Sequence, residues 1–122
     1  MQERLFSLEE ANSLLPELRE MLERIQEARQ VVLSSGERIR HAASLDGGGP
    51  QGAGYWEAVS TLRRAVEGIA EHGVILRDPE TGLVDFPAER EGRQVFLCWR
   101  LGEDRVGFWH GPESGFSGRR PL

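Results

Sequence analysis

A chain of 122 residues with 39% hydrophobic and 29% charged residues fits one soluble globular domain with a single modest core. Twenty acidic residues against 15 basic ones, a net charge of −5, leave no uniform basic field for nucleic acid or an anionic membrane. No apolar run approaches the roughly 20 residues of a spanning helix, and the start, MQERLFSLEE, has no signal-peptide pattern, so the expected location is cytoplasmic.

Every basic residue is arginine, and their spread along the chain reads as coding bias rather than as a binding motif. The lone cysteine, Cys98, excludes an internal disulfide.

Ser7 and Glu10 have the spacing of a capping box, which predicts a helix from about Leu8. Leu8, Ala11, Leu15, Leu18, Leu22, Ile25, Val32 and Ile39 keep a three-and-four period, so the amphipathic pattern runs to about residue 43. Pro16 predicts a kink or break, with Ser13 placed to cap a restart. Five glycines within residues 44–54 predict a flexible loop over 44–53. It is not a phosphate cradle, because no Gly-Lys-Ser/Thr follows and no buried strand precedes it. Tyr55, Ala58, Val59, Leu62, Ala65, Val66 and Ile69 predict a second helix over 54–73 that ends at Gly73 and folds back on the first.

After Gly73 the period changes. Val74–Leu76, then Leu83–Phe86 ended by Pro87, then Val95–Trp99 and Val106–His110 read as strands, with a turn at Asp78–Gly82. Helices followed by strands predict a single α+β domain in which a helical hairpin packs on a small, mostly antiparallel sheet over 74–110. The register of the last two strands stays open. A five-residue connection puts Cys98 opposite Phe108 and Phe96 opposite His110, so that Cys98 and His110 share a face; a four-residue one sends them to opposite faces. Both faces of this hairpin are apolar, so one must be closed by the tail, 111–122, or by a second subunit. Phe116 and the Arg119–Arg120 pair suggest that the tail folds back and that an arginine reaches Asp85 or Glu103.

Residues able to do chemistry gather in the strand half: Asp85, Cys98, Glu103 and His110, with His72 at a helix end. Each also has a plain structural role open to it. Cys98 can be a small buried hydrophobe, Glu103 a solvated turn carboxylate, and His72 a cation favoured by the helix dipole.

The segments Gly82–Pro87, Leu97–Glu103, Phe108–His110 and Gly115-Phe116-x-Gly118-Arg119, with the opening Phe6–Asn12, resemble the pattern of a bacterial family catalogued as domain of unknown function 2203. The resemblance implies that Asp85, Cys98, Glu103 and His110 belong to the family pattern and that His72 does not. It implies no activity.

Two functional readings follow. In the first, His110, Asp85 and Glu103, with Cys98, hold a divalent metal such as zinc, iron or manganese; a variant of it has His110 as a metal-free general base oriented by Asp85 or Glu103. In the second, the chain is a non-enzymatic interaction module whose helical hairpin presents a groove, and Arg119 serves a structural ion pair. No P-loop or dinucleotide glycine pattern is present, so no nucleotide cofactor is expected; the substrate is open. Two long amphipathic helices beside so small a sheet predict a homodimer. Sedimentation equilibrium at micromolar concentration should return twice the chain mass; one chain mass throughout would reject the dimer.

Overall fold

The computed structural model describes residues 4–46 and 52–122. Three helices precede a five-stranded sheet: α1 Leu8–Ser13, α2 Leu15–Asp46, α3 Gly52–Glu71, then β1 Ile75–Asp78, β2 Leu83–Arg90, β3 Arg93–Arg100, β4 Phe108–His110 and β5 Arg120–Pro121. The expected α+β class is the observed one. Among the described residues no helix is long and apolar enough to cross a membrane.

The capping box forms as the sequence predicts: Glu10 N–H donates to Ser7 Oγ at 3.0 Å, and Ser7 N–H donates to Glu10 Oε1 at 2.8 Å. The break before Pro16 falls at Leu14, so a six-residue α1 leads into α2. Ser13 does not cap the restart; its hydroxyl donates back to Glu10 O at 2.7 Å. Nothing in the sequence breaks the helix before Gly47, and α2 continues to Asp46, past the expected 43. α3 begins at Gly52, and the expected flexible loop otherwise falls on residues outside the described ones. α2 and α3 pack as an antiparallel hairpin: Met21 lies against Gly68 at one end, and Ala28 and Val31 face Gly54 and Ala58 at the other.

The sheet is a meander in which every strand pairs antiparallel with its neighbour in sequence, in the order β1-β2-β3-β4-β5. Strand residues alternate between two faces. Val84, Phe86 and Ala88 of β2 with Val95, Leu97 and Trp99 of β3 face the helices and join Leu15, Leu18, Leu22, Ile25 and Ile69 in one core. Each large side chain fully buried there contributes on the order of 2 kcal/mol. Asp85 and Pro87 of β2, with Phe96 and Cys98 of β3, take the opposite face.

Pro87 does not end β2, as its sequence position suggested; it pairs with Phe96 inside the strand. Its carbonyl accepts from Phe6 N at 2.7 Å, so its ring nitrogen points away from β3. β1 pairs only as far as Asp85, so no ladder amide is missed there. β4 is shorter than the expected 106–110 because Val106 leaves the ladder: its N–H donates to Asn12 Oδ1 of α1 at 2.8 Å, and its side chain is buried. The tail does fold back. β5 pairs with β4, and Leu122 N–H donates to Gly107 O at 2.9 Å.

The β1–β2 turn depends on one residue. Gly82 has φ +76°, and a Cβ there would lie 2.6 Å from Leu101 Cβ. Gly82→Ala should cost about 2 kcal/mol in urea unfolding; unchanged stability would show that the turn relaxes freely.

Candidate metal centre

On the face turned away from the helices, three adjacent strands each contribute one group. Asp85 of β2 is directly opposite Cys98 of β3; Cys98 is opposite Phe108, and Phe96 is opposite His110 of β4. This is the register in which Cys98 and His110 share a face. One donor atom from each of Asp85, Cys98 and His110 lies within 4.8 Å of the other two. All three residues are buried, at 2%, 1% and 3% exposure.

The hydrogen bonds restrict the protonation of this cluster. His110 Nδ1 is 2.8 Å from Gly111 O, and a carbonyl only accepts, so Nδ1 carries a proton. Nε2 is 2.9 Å from Asp85 Oδ2, which also accepts from Arg77 Nε at 2.8 Å. A proton on either Nε2 or Asp85 Oδ2 completes the second bond. Asp85 Oδ1 is buried with no partner. An unsatisfied buried carboxylate oxygen is costly unless a cation or a donor reaches it. The ring of His110 stacks on Phe96 with centroids 5.4 Å apart, which fixes its plane. Burial first, and then the negative charge of Asp85, push the Cys98 thiol up to about 12. In the protein alone Cys98 is thus a neutral thiol at pH 7, and a nucleophilic thiolate is not built here.

Glu103, grouped with these residues in the sequence reading, is engaged elsewhere. Its Oε2 accepts from Arg119 Nη2 at 2.7 Å and its Oε1 from Arg100 N at 2.8 Å. Of the two carboxylates open to the tail arginines, Glu103 is the one reached. Arg119 also lies over Phe108 and Phe116, 3.9 and 4.6 Å from the ring centroids, and its buried Nε has no partner. The tail thereby roofs the face that the apolar hairpin left open. His72 stands apart, paired with Glu17 at 3.0 Å.

Sequence reasoning missed Arg77. It follows Ile75, the partner of Asp85, at the irregularity between Leu76 and Asp78, and the two-residue alternation alone would have put it on the face of Asp85. It also missed a cavity of about 290 Å³ that opens on the cluster, walled by Arg77 and Leu83 on one side and by Pro112, Ser114, Gly115 and Phe116 of the tail on the other.

Residues 4–122, which hold the cluster and the tail that roofs it, match the family model described as an uncharacterized conserved protein, DUF2203. The chain belongs to the DUF2203 family. No curated protein and no solved structure matches it. Membership of DUF2203 brings no chemistry, so the chemistry rests on the cluster itself.

A thiol with a raised pKa contributes stability that is present below the ordinary cysteine pKa near 9 and lost as pH rises towards 12. In chelator-treated protein between pH 9 and 11, wild type should lose stability faster than Cys98→Ala, by on the order of 1 kcal/mol per pH unit. Parallel urea midpoints for the two would show that the thiol titrates normally.

Proposed function

We propose that this protein binds a divalent metal ion, zinc or iron(II) in preference to magnesium, through His110 Nε2, Cys98 Sγ and Asp85. The observation that carries the reading is the convergence of three donors of different softness, all within 4.8 Å of one another and all buried. Thiolate and imidazole favour zinc or iron over hard cations, and manganese ranks below both once sulfur is a ligand. Ligand atoms around zinc lie about 2.0–2.3 Å from the ion, a shell that this cluster reaches with small side-chain movement.

Two further features support it. Metal-bound histidines commonly donate their second ring N–H to a backbone carbonyl, as Nδ1 does here to Gly111 O. Arg77 holds Oδ2 of Asp85, while Oδ1 is left without a partner in the buried cluster. Three protein ligands leave a coordination position towards the cavity, where a bound ion would lower the pKa of water. The metal-free general-base variant has less support, because both ring nitrogens of His110 are committed to protein acceptors.

Elemental analysis of protein purified without added metal, and again after equilibration with zinc, should give about one ion per chain. His110→Ala and Cys98→Ser should each weaken zinc binding at least tenfold while circular dichroism stays unchanged. Cobalt substitution adds a thiolate-to-metal absorption that Cys98→Ser removes. A wild-type chain that takes up no zinc at micromolar concentration rejects the proposal.

A further inference from the structure

We propose that the cavity over the Asp85–Cys98–His110 cluster is a receptor for a small organic monocarboxylate, with Arg77 as the residue that recognises it. The inference concerns the same site but does not rest on the metal reading, because Arg77 stands outside the Asp85–Cys98–His110 donor group. Arg77 gives Nε to Asp85 Oδ2, which leaves its two terminal nitrogens for a ligand in the cavity that it lines. The Arg119–Glu103 pair beside the cluster is neutral in itself. The guanidinium of Arg77 lines the cavity, and a single negative charge is its complement.

The form of the cavity narrows the class. Arg77 spends Nε on Asp85 and lies over the Phe96 ring at 5.2 Å, which fixes the guanidinium plane, and its side chain is 43% exposed towards the opening. A guanidinium so held presents a planar fork matched to a carboxylate. On the facing wall the Ser114 hydroxyl reaches only Gly111 O, at 3.5 Å, too long for a bond of useful strength, so it can turn to a ligand oxygen. Leu83, Pro112 and Phe116 supply apolar wall for a hydrocarbon part. A volume of about 290 Å³ stands at the lower end of small-molecule sites, which suits a short aliphatic or single-ring acid and is too small for a nucleotide.

The test is titration of the full ¹⁵N-labelled chain with butyrate, benzoate, their neutral amides and inorganic phosphate, run on chelator-treated and on zinc-equilibrated protein with metal content measured in parallel. Saturable shifts centred on Arg77 and Ser114 are expected for the two carboxylates, with the amides and phosphate at least tenfold weaker. Arg77→Gln should weaken carboxylate binding at least tenfold and Arg77→Lys should recover part of it. Because Arg77 partners a buried carboxylate, Leu83→Glu provides a second variant: it places a like charge at the mouth and should abolish carboxylate binding with Arg77 in place. Absence of saturation by either acid, equal binding of the amides or of phosphate, or carboxylate binding undiminished in a folded Arg77→Gln or Leu83→Glu chain overturns the proposal. Carboxylate recognition in a chain that takes no zinc sinks the metal reading alone; zinc uptake without carboxylate discrimination sinks this one alone.

Discussion

A carboxylate at 2% exposure in the middle of a sheet face is the constraint around which the strand half is arranged. Removing such a charge from water costs several kcal/mol, and only well-placed positive partners offset it. Asp85 receives Arg77 from the preceding strand and His110 from two strands away, both on Oδ2. Those partners need a sheet wide enough to bring β1 and β4 to either side of the β2–β3 pair, and a roof that keeps water off His110. The meander provides the first and the tail the second.

The roof is held by arginine stacking as much as by strand pairing. Arg100 lies over Phe116, and Arg119 lies between Phe108 and Phe116 while it pairs with Glu103. Planar, delocalised guanidinium suits these contacts in a way that a lysine ammonium does not. The all-arginine composition, which by itself reads as coding bias, thus has structural consequences at a few positions.

The fold was legible because its signals are local: the capping box at Ser7, the helical period, and the switch to strand runs after Gly73. Asp85, Cys98 and His110 were legible as chemistry-bearing residues but not as a cluster, since hairpin register depends on where the ladder stops. Here Val106 leaves the ladder for Asn12, 94 positions away, and no local signal reports that bond. Glu103 looked like a fourth member because a turn carboxylate and a site carboxylate are the same residue in a sequence; the bond to Arg119 is a tertiary fact. Pro87 misled for a similar reason, as its tolerance depends on where the neighbouring strand ends.

The neighbour-to-neighbour order of the sheet bears on how the molecule assembles. His110 and Asp85 are 25 residues apart, the largest separation any bond inside the cluster requires, whereas the links from helix to strand region, such as Arg19 to Asp104 O, span 85. Short loops close at low entropic cost and long ones at higher cost. The cluster therefore takes its own bonds from strands close in sequence, while the longer-range links to the helices, among them Asn12 to Val106, fix where its last strand leaves the ladder. Core substitutions in the hairpin would then reach Asp85 through the opposite face of the strands that carry it, since Val84 and Phe86 on either side of it pack in the same core as the helices.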